Sequence, residues 1–234
     1  MIRICFHGAE STGKSVLAAE LQAEYGWPWV GEYGRAYCEE HGTELTMPDL
    51  LAMALGQDRM MREAHISPIP SDGGAAPDSP LPFRGGAAPD SPLPFRGGAG
   101  GGVSPTDATS EPTDRPSPNP SREREGDLSV LILDTDPLMT AAWAQMLFGA
   151  VPDVLMQYQK ADHYLLFDAD VPWVADGTRF FGDADARATF AALAEEMLMR
   201  AGVPFTRISG DWVQRKAAVL AVIEDILVSN NRSS

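Results

Sequence analysis

A run of eight residues near the start of the chain has the types and spacing needed to bind a triphosphate. It fits the pattern G-x-x-x-x-G-K-[ST] and consists of Gly8, Ala9, Glu10, Ser11, Thr12, Gly13, Lys14 and Ser15. The two glycines allow the backbone to curl so that successive N–H groups point inward. Lys14 would then reach the β- and γ-phosphates, and the Ser15 hydroxyl would coordinate Mg²⁺. The run therefore predicts binding of a nucleoside triphosphate such as ATP, together with Mg²⁺.

Two carboxylates follow a second apolar run. Residues 128–134 read Leu-Ser-Val-Leu-Ile-Leu-Asp, which predicts a buried strand ending at Asp134, and Asp136 stands two residues later. A carboxylate at the end of such a strand lies beside the phosphate loop and holds Mg²⁺ directly or through water. In phosphoryl transfer to an alcohol, a carboxylate also takes the proton of the acceptor hydroxyl. The pattern leaves open which aspartate serves which role. A strand end followed by a turn with no catalytic part is the alternative for each.

The segment after the second predicted strand carries candidate substrate-binding side chains. Glu32 and Arg35 stand three residues apart, at the sheet edge where open α/β sheets keep their ligands. Glu32 would accept hydrogen bonds from hydroxyl groups, and a local salt bridge at a helix start is the alternative. Three aromatic residues are candidate stacking faces for a flat, cationic ring, with core packing as the alternative for each: Trp29, Tyr33 and Trp173.

A polar stretch covers 170–187, and its part from 176 to 187 predicts a lid. Arg179 and Arg187 stand there among several acidic residues, ahead of a helical pattern. Arginines in a lid close on the transferring phosphate and exclude water, which suppresses hydrolysis of ATP. A surface ion pair is the alternative for either arginine. The four histidines have no metal-ligand spacing, so we expect them to be structural.

The order of the predicted elements indicates the fold class. Strand patterns cover 2–7, 29–30, 128–134, 163–167 and 205–209, and helical patterns cover 16–25, 47–65, 140–148, 154–159, a segment that ends at 202, and 211–228. A capping box of Thr46 and Asp49 marks the start of the helix at 47. Strands that alternate with helices and read as continuous apolar runs predict a parallel sheet covered on both faces. We therefore expect a three-layer α/β/α fold of the P-loop NTPase, kinase type, with five parallel strands.

Charge and composition exclude several classes of partner. The net charge is −15, with 33 acidic against 18 basic residues. Such a surface repels nucleic-acid phosphates, and no basic stripe is present, so we expect no nucleic-acid partner. Neither a signal-peptide pattern nor a membrane-spanning apolar run occurs, which favours a cytoplasmic protein without a membrane partner. Cys5 and Cys38 form no disulfide framework, and we expect both to be buried.

Residues 66–126 differ in composition from the rest of the chain. They contain 13 of the 19 prolines and 10 of the 22 glycines, and the twelve residues 73–84 are repeated without change at 85–96. Two copies are too few for a solenoid, and such a composition does not bury enough apolar surface to order a chain. We therefore expect one kinase domain, formed by 1–65 and 127–234, that carries a disordered Pro/Gly-rich insertion without a catalytic role.

Several motifs together resemble the ribosylnicotinamide kinase domain of the NadR-type proteins. The matching segments are the phosphate loop, Glu32-Tyr33-x-Arg35, Gly56-Gln57, Leu133-Asp134-Thr135-Asp136 with Thr140, Asp170-Val171-Pro172-Trp173-Val174-x-Asp176-Gly177-x-Arg179, and Ser209-Gly210-Asp211 with Arg215. The resemblance covers nearly the whole chain outside 66–126. The DNA-binding and adenylyltransferase domains of larger family members have no counterpart in this sequence, so we expect neither activity here.

The resemblance implies ATP-dependent phosphorylation of the ribose 5′-hydroxyl of nicotinamide riboside, which gives nicotinamide mononucleotide for NAD salvage. It also implies the nucleotide-binding roles. Residues 8–15 would hold the ATP phosphates, Asp134 would bind Mg²⁺ and is a candidate base, and Arg179 would belong to the lid. Asp211 and Arg215 would lie near the adenine.

On the substrate side, the resemblance implies that Glu32, Tyr33, Arg35 and Trp173 hold the riboside. Two alternatives remain at this stage. One is a P-loop kinase of another nucleoside or of a vitamin, because the phosphate loop and the Asp134 strand are widely shared. The other is a non-catalytic module that senses ATP and a pyridine nucleotide. The retention of Lys14 and of the other phosphate-handling residues argues against the sensing module.

Overall fold

The computed structural model describes residues 1–66, 130–173 and 183–233. The chain divides into two compact units, one of Met1–Gly73 with Leu128–Ser234 and one of Gly74–Asp127. The second unit, most of the predicted insertion and the predicted lid residue Arg179 lie outside the described residues.

Five parallel strands form one sheet in the order β2-β3-β1-β4-β5. The strands are β1 (Ile2–Gly8), β2 (Trp29–Val30), β3 (Val130–Asp134), β4 (His163–Phe167) and β5 (Phe205–Ile208). Phe6 of β1 pairs with Asp134 on one side and with Leu165 on the other. The carboxyl ends of the central strands therefore meet at one edge, and the predicted five-stranded parallel sheet is confirmed.

Seven helices connect and cover these strands within the described residues. They are α1 (Lys14–Tyr25), α2 (Tyr33–His41), α3 (Met47–Ile66), α4 (Pro137–Phe148), α5 (Asp153–Gln157), α6 (Ala184–Ala201) and α7 (Trp212–Ser233). Two boundaries differ from the sequence prediction in ways that matter for the site. Helix α4 begins three residues early, because Asp136 caps it. Helix α6 begins after the N-cap Asp183, so Arg187 lies in its first turns and not in a loop.

Alternate residues of β1 pack against helices on opposite faces of the sheet. Phe6 shares a buried cluster with Leu17 of α1 and Val219 of α7. Cys5, its neighbour, belongs to a cluster on the other face that includes Leu138 of α4 and Leu198 of α6. Because successive side chains of a strand point to opposite faces, this alternation gives the predicted three layers.

The predicted capping box fixes the start of α3. The carboxylate of Asp49 accepts hydrogen bonds from the Thr46 backbone N–H at 2.8 Å and from the Thr46 hydroxyl at 2.5 Å. Its other oxygen accepts from the Tyr37 hydroxyl at 2.7 Å. Tyr37 lies in α2, so the cap of α3 also ties these two helices together. Both helices contribute to the site described below.

Two composition-based expectations are tested by the same coordinates. Cys5 and Cys38 are free and buried, as predicted. No helix in the described parts of the chain is long and apolar enough to cross a bilayer.

Candidate active site

The loop between β1 and α1 has a backbone that only glycine can supply at two positions. Gly8 has φ +125° and Gly13 has φ +85°, a region that residues with a Cβ rarely adopt. A Cβ on Gly8 would lie 2.5 Å from the Phe167 carbonyl oxygen, and one on Gly13 would lie 2.6 Å from the Trp212 ring. The glycines therefore let the loop curl against β4 and α7.

Side chains within the loop hold it closed. The Thr12 hydroxyl donates to the Ala9 carbonyl at 2.9 Å. The Lys14 ammonium donates to the carbonyls of Gly8 at 3.0 Å and Ala9 at 2.7 Å. Lys14 thus lies across its own loop, as expected for a group that meets phosphate oxygens there.

A carboxylate and a hydroxyl lie side by side at the end of β3. Asp134 is 2% exposed, and the Ser15 hydroxyl donates a hydrogen bond to it. Burial raises the pKa of Asp134, while the charge of Lys14, the Ser15 hydrogen bond and the charge of Arg35 oppose that rise. Two hard oxygen donors beside a phosphate-binding loop suit Mg²⁺. The pair thus fits the predicted metal-binding role.

Asp136 occupies a different environment from Asp134. One oxygen accepts from the Leu138 N–H at 3.0 Å and caps α4, and the other accepts a short hydrogen bond from the Tyr164 hydroxyl. Burial raises the pKa of Asp136 to about 6, although both hydrogen bonds oppose the rise. Both oxygens are engaged in holding the β3–α4 turn, which leaves the predicted catalytic role without support from the geometry.

A narrow pocket opens beside Asp134, between α2, α3 and α4. Its lining residues include Glu32, Leu50, Met53, Gln57, Thr135 and Trp143. Burial raises the pKa of Glu32 to about 7, with a further rise from the charge of Asp134; Lys14 and Arg35 act in the opposite direction. These effects place Glu32 electrostatically within the same group as Asp134, Lys14 and Arg35. The pocket therefore lies close enough to the phosphate loop for the charges of Lys14 and Asp134 to act on Glu32.

Gln57 connects the two loops that border this pocket. The residue is 3% exposed. Its side-chain oxygen accepts from the Tyr33 N–H at 2.7 Å, and its amide nitrogen donates to the carbonyls of Gly31 at 3.2 Å and Thr135 at 3.5 Å. One side chain thus fixes the β2–α2 loop, which carries Glu32, and the β3–α4 loop, which carries Thr135.

The predicted stacking residues take different positions. Tyr33 packs its ring over Gly56, where a Cβ would lie 2.3 Å from a ring atom, and it is not among the pocket's lining residues. Trp29 packs against the core cluster that contains Phe6, which was the alternative for it. Trp173 is partly buried. Its indole nitrogen has no hydrogen-bond partner in the described chain.

Arg187 reaches the phosphate loop from α6. Its guanidinium donates to the carbonyls of Val171 at 2.7 Å and Ser11 at 3.5 Å, and the residue is 9% exposed. It therefore connects the loop to the segment that precedes residue 174. The role predicted for it at the transferring phosphate stays a prediction.

Arg215 and Asp211 organise the turn between β5 and α7. Arg215 is 1% exposed and donates to the carbonyls of Gly210 at 2.8 Å, Asp168 at 3.0 Å and Thr12 at 3.2 Å. It also forms an ion pair with Asp170. Asp211 accepts from the Gln214 N–H at 2.9 Å and so caps α7. Both residues lie beside the phosphate loop, and their predicted contact with the nucleotide remains a prediction.

Sequence reasoning assigned no role to several residues of this site, among them Gln57, Trp143 and Trp212. Gln57 belongs to one of the segments that resemble the NadR-type proteins, but the resemblance implied no role for it. Trp143 and Trp212 belong to none of those segments. Trp143 is far from the phosphate loop in the sequence, so no local motif indicated that it lines the pocket. Trp212 directly follows the predicted Ser209–Asp211 segment, and its ring, 39% exposed, lies over Gly13. An aromatic residue beside a predicted nucleotide-binding turn was a signal available in the sequence.

Solved structures with a similar fold include two of NadR protein and one of a deoxyadenosine kinase. NadR protein in complex with NR matches with a TM-score of 0.61 and 15% identity, over 97% of this chain and 50% of that one. NadR in complex with NAD and AMP-PNP matches with a TM-score of 0.57 and 16% identity, over 96% of this chain and 49% of that one. Deoxyadenosine kinase from M. mycoides with bound dATP matches with a TM-score of 0.51 and 11% identity, over 96% of this chain and 100% of that one. The chain spans about half the length of the NadR chains.

These likenesses confirm the predicted P-loop kinase-type fold. A search of curated proteins found no match. The family model described as AAA domain, AAA_28, matches residues 3–68 and 120–215, more than half of the chain. Its match includes the phosphate loop, the β3 carboxylate and Arg215. The chain therefore belongs to the AAA_28 family of AAA domains.

Proposed function

We propose that this protein is an ATP-dependent kinase that phosphorylates a hydroxyl group of a nucleoside-like acceptor, most specifically nicotinamide riboside. The observation that carries the proposal is the proximity of the phosphate loop to the pocket that Glu32 lines. Lys14, Ser15 and Asp134 stand at one end, and Glu32 lines the other. A nucleotide held by the loop would present its γ-phosphate to an acceptor held in the pocket.

On the nucleotide side, residues 8–15 would hold the phosphates of ATP through main-chain N–H groups and the Lys14 ammonium. The Ser15 hydroxyl and the Asp134 carboxylate would hold Mg²⁺, which when bound neutralises charge on the phosphates. Arg187 keeps the Ser11 segment in place. Arg179 is the proposed lid residue that would meet the transferring phosphate.

On the acceptor side, Glu32 is the carboxylate best suited to act as base. It lines the pocket, and burial together with Asp134 raises its pKa to about 7, close to the pH at which a general base is most effective. The acceptor oxygen would form a bond to the γ-phosphorus while the bond from that phosphorus to the β–γ bridging oxygen breaks. ADP would leave, and the hydroxyl proton would pass to Glu32.

Nicotinamide riboside is the proposed acceptor because the motif resemblance and the NadR–NR structure point to the same substrate. The aromatic and apolar wall of the pocket, with Trp143, Leu50 and Met53, suits a flat ring. The likeness to a deoxyadenosine kinase favours a second candidate, an ordinary nucleoside.

The test is a turnover assay with purified full-length protein, ATP and Mg²⁺ against nicotinamide riboside, adenosine, deoxyadenosine, cytidine, uridine and thymidine. ADP release and the mass of the phosphorylated product are measured. We expect nicotinamide riboside to have the highest kcat/KM. Lys14→Ala should reduce kcat at least about a hundredfold, because its charge matters most as the phosphoryl group transfers.

The matched control is Lys216→Ala. Lys216 is paired with Glu20 and Glu24 away from the phosphate loop, so its loss should leave turnover unchanged. A higher kcat/KM for an ordinary nucleoside would replace the proposed acceptor. Calorimetry that showed tight binding of ATP and the riboside without ADP release would instead identify a sensing module. Full activity in Lys14→Ala with native circular dichroism would refute the role of the loop.

A further inference from the structure

Thr135 combines two unfavourable features at one position. Its φ is +91°, which is strained for a residue whose Cβ carries two heavy atoms. Its hydroxyl oxygen is buried and has no hydrogen-bond partner in the described parts of the chain, although the residue is only 7% exposed. Buried hydroxyls are normally hydrogen-bonded, and each exception calls for a physical reason.

The fold does not need threonine at this position. A turn with positive φ is formed without strain by glycine, and an apolar side chain of the same shape would fill the space without burying an unpaired oxygen. Strain of this kind persists where the surroundings over-determine it, and it concentrates at binding and catalytic sites. Here the surroundings are Asp136, whose carboxylate caps α4, and Gln57, whose amide donates to the Thr135 carbonyl.

The location of Thr135 indicates what its hydroxyl would meet. The residue lies between Asp134 and Asp136 and lines the pocket that Glu32 also lines. The other polar lining residues are Thr140 and Gln57, and Gln57 has both ends of its amide bound to main-chain groups. Glu32 offers a carboxylate there, and Thr135 is the lining threonine whose hydroxyl is buried without a partner in the described chain, while much of the remaining wall is apolar. A ligand that satisfies both has a ring for the apolar wall and at least two hydroxyl groups.

We propose that the Thr135 hydroxyl binds a second hydroxyl group of the phosphate acceptor, distinct from the one that is phosphorylated. Thr135 is then a specificity-determining residue that selects ribosides over acceptors lacking that ribose hydroxyl. The inference rests on the proposed kinase function and deepens it. A threonine hydroxyl can both donate and accept, so it can pair with a sugar hydroxyl while Glu32 takes the reacting one.

The test is a comparison of substrates and variants in one assay. Wild type, Thr135→Val and Thr135→Ser are assayed with ATP and nicotinamide riboside, and with its 2′-deoxy and 3′-deoxy forms. Valine keeps the branched shape and removes only the oxygen. We expect Thr135→Val to lower kcat/KM for the riboside about 10- to 100-fold, as for loss of one buried hydrogen bond. Thr135→Ser should keep most of the activity.

The deoxy acceptors separate a direct contact from a structural role. For wild type, kcat/KM should be lower by a similar factor on one of the two deoxy forms than on the riboside. On that deoxy form, Thr135→Val and wild type should have the same kcat/KM. The melting temperature of Thr135→Val should equal or exceed that of wild type, because the hydroxyl loses no hydrogen bond to the part of the chain that the structure describes. The control is Thr189→Val, on the exposed face of α6, which should leave turnover unchanged.

Three results would overturn the inference: equal kcat/KM of Thr135→Val and wild type on the riboside, an equal loss on all three acceptors, or a clear fall in melting temperature. Each of these leaves the kinase proposal intact, because wild type is active. A wild type that phosphorylates no acceptor in the nucleoside panel would refute the kinase proposal, and the role of Thr135 with it.

Discussion

Replacing Arg215 by methionine should destabilise the protein and weaken ATP binding together. The guanidinium is 1% exposed and donates to three main-chain carbonyls, those of Thr12, Asp168 and Gly210. Thr12 lies in the phosphate loop, Asp168 follows β4, and Gly210 precedes α7. Arg215 therefore joins these three segments through one side chain. Methionine fills most of the same volume but leaves all three carbonyls without this donor.

The magnitude follows from the groups left unpaired. A buried acceptor that loses its partner costs about 1–3 kcal/mol, and hydrogen bonds from charged donors lie toward the upper end. Three such losses are not additive, and the buried guanidinium had itself paid a desolvation cost. We therefore expect Arg215→Met to lower the free energy of unfolding by about 4 kcal/mol, a large part of the total for a single domain.

The assay is urea unfolding followed by circular dichroism, with ATP affinity measured by calorimetry on the folded fraction. Arg207→Met is the matched control. Arg207 also contacts Asp168, but its side chain is 49% exposed, and an exposed ion pair contributes at most about 1 kcal/mol. If Arg215→Met lowers the free energy of unfolding no more than Arg207→Met does, the proposed role of Arg215 in joining the three segments is refuted. Unchanged ATP affinity would refute the effect of Arg215 on the phosphate loop.

Four further changes have defined outcomes. The pKa of Glu32 rises from 4.5 to about 7, so its contribution to stability is present below pH 4.5 and lost as pH rises through 7. Glu32→Gln should then raise the free energy of unfolding in urea by up to about 3 kcal/mol at pH 8, and change it little at pH 4.5. Gly56→Ala should lower that free energy by about 1–3 kcal/mol, because the new Cβ would lie 2.3 Å from the Tyr33 ring. Chelation of Mg²⁺ with EDTA should weaken ATP binding in calorimetry about tenfold or more, because the Asp134 carboxylate would then face the triphosphate directly; unchanged affinity would contradict this. Deletion of 67–125 with a short Gly-Ser linker should leave turnover largely intact, and a folded but inactive product would show that the segment matters.

The fold was predictable from sequence because its signals are local. The continuous apolar runs of β1, β3 and β4 and the phosphate-loop pattern are each contained in a few consecutive residues. Boundaries were less predictable where a distant contact decides them. Helix α4 starts early because the Asp136 carboxylate caps it, and that carboxylate is in turn held by Tyr164 from β4. No local pattern contains that pairing.

The site was predictable in part, for the same reason. Lys14, Ser15 and Asp134 follow from local motifs and lie together in the structure. The roles of Gln57 and Arg215 follow from which main-chain groups they reach across the fold, and a residue type alone does not reveal that. Asp136 shows the reverse case. Its spacing from Asp134 suggested catalysis, yet burial and two hydrogen bonds tie it to the β3–α4 turn.

The distribution of satisfied and unsatisfied groups supports one functional centre at the carboxyl edge of the sheet. Around that edge, Gln57, Asp136 and Arg215 have their polar atoms bound to main-chain groups or to neighbouring side chains. Inside that ring, Asp134 keeps a buried carboxylate, and Thr135 has a strained backbone and a hydroxyl without a partner among the described residues. A protein selected for stability alone would remove both costs by single substitutions. A rigid, fully bonded surround that holds costly groups in place is what a preorganised binding site requires. The buried Asp134 carboxylate and the Thr135 hydroxyl are therefore best understood as contacts reserved for the nucleotide and its acceptor.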